Sequence, residues 1–245
     1  MLQLVHKKSS DSVNGGMASM KKELKNLRVV IFDLDDTLYN ELDYVKFAMK
    51  NVANYIEDKH NLDRKVIYNR CIELLHNNGR GKIFDTIIFE NKIDEAASKL
   101  VEIYRNTKPQ IHLYEDAIEY INYLKENQIY TAVITDGCSK VQHNKISALY
   151  LESLVDEIII TDDLKNGAKP STLSYEIILK VFGIDTPKDC IYIGDNPKKD
   201  FIGAKKLGMN TARIIRPFGD NMKLEAKSEY DGKYHINLLT DLMKI

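Results

Sequence analysis

The sequence predicts an α/β fold, a doubly wound parallel sheet with an all-helical block inserted after its first strand. Three observations carry this. Short apolar runs alternate with helical periodicity over the second half of the chain. Helical periodicity alone fills residues 40–112. Clusters of carboxylates and turn residues stand just beyond the apolar runs, where an open parallel sheet places its ligand sites.

The first run is RVVIFDLD, residues 28–35, in which Val29, Val30, Ile31 and Phe32 form a continuous apolar stretch. Such a run suits a strand buried on both faces, and it ends in carboxylates. Leu42, Val45, Met49, Val52 and Ile56 then recur at helical spacing. Val66, Cys71, Leu74 and Leu75 mark a second helix with Asp63 near its start. HNNGRGK, residues 76–82, has turn chemistry. Ile83, Phe84, Ile87 and Ile88 resume an apolar face, and Ala96, Ala97, Leu100, Val101 and Tyr104 form a further helix before Pro109. After Pro109 helices are predicted at 115–127, 139–149, 172–182 and 201–207, with Ile118, Ile121 and Leu124 on one face of the first. Strands are predicted at 129–134, 157–160, 190–193 and 211–215. A short strand and a helix holding Leu238, Leu239 and Leu242 close the chain, in a structural role. The division is a leader or expression remnant at 1–26, an α/β core from 27–39 and 113–245, and a helical block at 40–112.

A chain of 245 residues accommodates this arrangement. The net charge of -1 offers no basic stripe for nucleic acid. No run approaches the roughly 20 apolar residues of a membrane span, and the first residues do not read as a secretory signal. Cys71, Cys138 and Cys190 have neither pairing nor metal spacing, which fits a reducing, cytoplasmic setting with the thiols as small core residues.

Four clusters carry chemistry. In DLDDT, 33–37, Asp33 and Asp35 can point to one side of a strand end. Two carboxylates so placed repel unless a divalent cation or a proton intervenes, although an Asp-rich surface turn reads the same way. In TDG, 135–137, the Thr135 hydroxyl and the backbone N–H groups of Asp136 and Gly137 can hold a phosphoryl oxygen, or form an ordinary turn. In AKPS, 168–171, Lys169 precedes a helix start and can offset the charge of Asp33 and of a phosphate. In IGDNPKKD, 193–200, Asp195 follows a strand and Asp200 opens a helix, where a carboxylate also serves as a plain cap.

In order and placement, DLDDTL, ITDG, AKPS and IGDNPKKD resemble the four motifs of the haloacid dehalogenase superfamily, and the helical block resembles that family's helical cap. The resemblance implies a nucleophile and magnesium ligand at Asp33, and a general acid–base at Asp35 whose backbone carbonyl also faces the metal. It implies a phosphate-holding Thr135 and an orienting, charge-offsetting Lys169. Asp195 would bind Mg2+ directly, and Asp200 through water or from behind. An Asp at position 35 separates this chain from dehalogenases, whose halide leaving group needs no proton, and from phosphonate-cleaving relatives. The Lys-Thr-Gly of transporting ATPases is absent.

The implied activity is Mg2+-dependent hydrolysis of a small phosphosugar or nucleotide monoester through an aspartyl-phosphate, by a monomer or homodimer. A phosphomutase is the enzymatic alternative, distinguished by a phosphorylated product in place of free phosphate. A non-catalytic module binding a phospho-ligand or a protein is the alternative from another class, and the intact set of charged motif residues argues against it. In the helical block, Arg80 and Lys82 within NNGRGK are the candidate contacts to an anionic or hydroxyl-rich substrate, or form a solvated turn. Tyr39 and Asn40 stand where substrate contacts could fall.

Overall fold

A computed structural model describes residues 24–244. Most of the predicted leader lies outside the described residues; within its last part Leu24 is buried and its carbonyl accepts from Leu27 N–H at 3.1 Å. The strands are β1 (Val29–Phe32), β2 (Tyr130–Thr135), β3 (Glu157–Ile160), β4 (Cys190–Gly194), β5 (Asn210–Ile214) and β6 (Tyr234–Ile236). The helices are α1 (Glu41–His60), α2 (Arg64–Asn78), α3 (Ile83–Asn91), α4 (Ala97–Arg105), α5 (Glu115–Glu126), α6 (Ser139–Ala148), α7 (Leu173–Val181) and α8 (Asp200–Lys206). The described residues divide into two compact units, one of residues 24–40, 113–136 and 152–244 and one of residues 41–112 and 137–151.

The first unit holds one six-stranded sheet in the order β3-β2-β1-β4-β5-β6. Every pairing in it is parallel. Parallel strands covered on both faces need apolar side chains on both, and every residue of β1 is fully buried. Val29, Ile31, Ala132, Ile134, Cys190 and Tyr192 face one core, completed by Tyr175 and Ile178 of α7 and Phe201 and Ala204 of α8. Phe32 meets the edge of the Tyr120 ring of α5 at 6.1 Å. The buried stripe of α5 is Ala117, Tyr120, Ile121 and Leu124. Ile118, predicted on that face, lies at its margin and is 43% exposed. Arg216, just past β5, reaches the buried side of the Asp33 loop. It pairs with both oxygens of Asp116 at 2.9 and 2.8 Å and donates to Thr37 O at 2.7 Å.

The second unit is all helical, and α6, which follows β2 in sequence, clusters with α1–α4. Asp63 accepts from Lys65 N–H and Val66 N–H at 2.7 and 3.2 Å, satisfying two donors that the first turn of α2 leaves open. Tyr44 of α1 meets Tyr104 of α4 edge-on at 5.6 Å. Among the described residues no helix is long and apolar enough to cross a membrane.

Candidate active site

The strand order reverses at β1, which lies between β2 and β4. At such a reversal the crossover connections diverge and leave the carboxyl ends of the strands open to a ligand. Three strands deliver candidate residues there: β1 leads into Asp33, β2 ends in Thr135, and β4 leads into Asp195. Asp33 N–H donates to Ile193 O at 2.8 Å, so the ladder between β1 and β4 fixes the backbone under two of the carboxylates.

Lys169 is the hub. Its side chain is fully buried, and its ammonium donates to Asp33 Oδ1 at 2.6 Å, Asp200 Oδ1 at 2.8 Å and the Tyr192 hydroxyl at 2.8 Å. The Tyr192 hydroxyl lies 3.3 Å from Asp200 Oδ1 and donates onward to it. The loop bearing Lys169 is held by Asp136, whose Oδ1 accepts from Lys169 N–H at 3.1 Å and from the Thr161 hydroxyl at 2.7 Å. Its other oxygen pairs with Lys199 at 3.1 Å. Asp200 accepts from Asn196 N–H on its remaining oxygen at 2.8 Å, so both oxygens are engaged. The carboxylate reaches this position because residue 194 is glycine: a Cβ there would lie 2.5 Å from Asp200 Oδ2.

Carboxylate oxygens of Asp33, Asp195 and Asp200 lie within 4.8 Å of one another, and all three residues are buried. Burial pushes the Asp33 carboxyl up to about 7, against the pull of Lys169. Burial, with Asp200 and Asp33 nearby, pushes Asp195 up to about 9. For Lys169 burial acts downward, but Asp200 and Asp33 outweigh it and hold the ammonium well above its usual range. For Asp136 burial acts upward, but Lys169 and Lys199 prevail and hold it below the usual carboxylate range. Thus one hub ammonium is bonded to two of three clustered buried carboxylates, Asp33 and Asp200. Hard oxygen donors with surplus negative charge are the donor set of a divalent cation such as Mg2+.

Asp35 is half-buried, and its Oδ1 accepts from the Tyr39 hydroxyl at 2.5 Å. Its carboxylate stands outside the three-carboxylate group. Thr135 Oγ1 is buried and has no hydrogen-bond partner, a costly state that a ligand oxygen would relieve. The structure therefore brings Asp33, Asp35, Thr135, Asp136, Lys169, Asp195 and Asp200 into one unit.

Gly137, Arg80 and Lys82 belong to the other unit. There Arg80 forms a bidentate pair with Glu41, at 2.9 and 2.6 Å, so its predicted substrate contact competes with an existing partner. Arg80, Lys82 and Arg105 line a cleft of about 300 Å³ with Val45, Met49 and Tyr104. The Asp136 carboxylate is engaged within the protein, while the substrate contact expected of this residue is through its backbone N–H. Tyr39, noted for the same role, is fully buried against Asp35.

Sequence reasoning missed Tyr192 and Asn221, whose amide donates to Asp195 Oδ2 at 2.9 Å. A phenol within an otherwise aliphatic strand was a usable signal for Tyr192, because a buried hydroxyl needs a partner. Asn221 stands in a segment without periodicity or motif and offered none. The thiols of Cys71 and Cys190 are buried and pushed up to about 12 by that burial, consistent with inert core residues.

Residues 30–214 match the haloacid dehalogenase-like hydrolase family, and the chain belongs to it, in its phosphatase branch. A glyceraldehyde 3-phosphate phosphatase of Methanocaldococcus jannaschii is 29% identical over 229 residues, covering 89% of this chain and 96% of the relative. A human N-acylneuraminate-9-phosphatase is 24% identical, covering 80% of this chain and 85% of the relative. The crystal structure of a HAD phosphatase from Thermococcus onnurineus shares the fold, with a TM-score of 0.59 at 22% identity over 89% of this chain and 97% of that one. The enzyme class is phosphomonoesterase.

Proposed function

We propose that this chain hydrolyses a small phosphate monoester, with Mg2+, through an aspartyl-phosphate on Asp33. The observation that carries the reading is the buried Lys169 ammonium shared between Asp33 and Asp200, with Asp195 alongside. Lys169 holds one oxygen of Asp33, favours its ionised form against the effect of burial, and leaves the other oxygen to attack phosphorus in line. Asp35 donates a proton to the departing alkoxide, then accepts one from the water that attacks the phosphoryl-enzyme. The hydrogen bond from the Tyr39 hydroxyl fixes the rotamer of Asp35. The Thr135 hydroxyl gives its unused bond to a phosphoryl oxygen. Asp33 and Asp195, with the Asp35 carbonyl, would hold Mg2+, and Asp200 would act behind them, since both its oxygens are already bonded. When bound, the cation neutralises charge on the phosphoryl oxygens.

The substrate class is phosphosugar or nucleotide, and the relatives named for a triose phosphate and a 9-phosphorylated acylneuraminate favour phosphosugars. The test is phosphate release from glyceraldehyde 3-phosphate, other sugar phosphates and nucleoside monophosphates, each with Mg2+ and with excess chelator. Release that requires Mg2+ and is greatest for a sugar phosphate is expected. A rearranged phosphorylated product without free phosphate would indicate the mutase, and chelator-resistant release would refute the metal assignment.

A further inference from the structure

We propose that Asn221 is a positioning residue that orients Asp195 toward the cation, and that the segment after β5 is built to hold it there. The inference rests on the reading of Asp195 as a metal ligand. The Asn221 side-chain amide donates to Asp195 Oδ2 at 2.9 Å. That bond fixes the carboxylate's rotation and occupies one oxygen, leaving the other to a cation. An amide N–H keeps its donor at every working pH, so the constraint does not switch off.

The loop around Asn221 is anchored from several directions. The buried Arg213 guanidinium of β5 donates to Asn221 O at 2.8 Å and to Leu224 O at 2.9 Å. Arg213 is itself paired with Asp231 at 3.3 Å, and His235 Nε2 of β6 lies 3.0 Å from the other Asp231 oxygen. On the opposite side Asp220 N–H donates to Asp36 Oδ2 at 3.1 Å, tying the loop to the motif that carries Asp33 and Asp35. Gly219 permits this approach: its φ is +144°, and a Cβ would lie 2.9 Å from Asp36 Oδ2. Arg216 N–H donates to the Met222 sulfur at 3.0 Å. An asparagine that merely faced water would not need its backbone carbonyl clamped by a buried guanidinium. The arrangement fits a donor that must hold its place while Asp195 exchanges a cation, because the partners of metal ligands set ligand orientation and affinity.

The experiment is calorimetric titration of MgCl2 into the metal-stripped full chain, as wild type, Asn221→Leu, Asn221→Ala and the control Lys223→Ala in the same segment. Asn221→Leu keeps the branched shape and removes the donor, and Asn221→Ala is the second variant should either fold poorly. Loss of Mg2+ affinity by about 10–100-fold is expected in both Asn221 variants. The control should match wild type, metal-free melting temperatures should not move, and KM for the phosphate ester should hold at saturating Mg2+. Mg2+ affinity within twofold of wild type in a folded Asn221 variant overturns the proposal and leaves the phosphatase reading standing. A wild-type chain that binds no Mg2+ overturns both.

Discussion

Asp33→Asn will lower kcat by about four orders of magnitude or more, measured as phosphate release at saturating Mg2+ and substrate. The substitution keeps the shape of the side chain and removes the attacking oxygen's charge. The fold should survive it. Burial already pushes the Asp33 carboxyl up to about 7, so a neutral group is well tolerated at that position, and the amide oxygen can still accept from Lys169. Unaltered unfolding with lost turnover is therefore the expected pair of results. Residual activity within tenfold of wild type would place the nucleophile elsewhere.

Lys169→Met is the second large effect, and it acts on rate and stability together. Removing one preorganised charged donor from a water-excluded site costs about two to three orders of magnitude in kcat. The same change strands Asp33 and Asp200 without the ammonium that each lies against, at 2.6 and 2.8 Å. Breaking a buried ion pair from one side typically costs about 3–5 kcal/mol, because the remaining charge is desolvated and uncompensated. Urea unfolding of the metal-free variant should show that loss, and added Mg2+ should recover part of it by binding only the folded state. Lys169→Arg should not rescue turnover, since a planar guanidinium cannot fit the point between Asp33, Asp200 and the Tyr192 hydroxyl. A metal-free Lys169→Met chain as stable as wild type would show that the hub does not hold these carboxylates.

Much of this arrangement was legible before any coordinates. The runs VVIF and CIYI declare strands buried on both faces because no polar residue interrupts them except one phenol. Asp33, Asp195 and Asp200 could be grouped because each follows a strand or opens a helix at the same edge of a parallel sheet, and Lys169 joins them from the loop before α7, where topology brings distant motifs together. Other features were hidden for physical reasons. The Asp136 carboxylate is bonded to Thr161, Lys169 N–H and Lys199, partners whose proximity arises only from folding, beside the backbone N–H expected to meet phosphate. Arg216 and Asp116 pair across 100 positions, and neither residue type nor spacing announces it. The segment after β5 has no period to read, because its shape comes from carbonyls clamped by Arg213 and from contacts to Asp36. Helical periodicity in the first half located α1–α4, but it could not show that α6 clusters with them, since that is a matter of contacts made after the chain has passed through β2.

The most direct test is acid-quenched single turnover of a phosphosugar with Mg2+, followed by mass analysis of the peptide that carries Asp33 and Asp35. One phosphoryl group on Asp33 is expected, appearing before free phosphate and lost on neutral chase, with none in Asp33→Asn. Phosphate released over the same interval with no phosphoryl group on that peptide, or with the group on another residue, would contradict it.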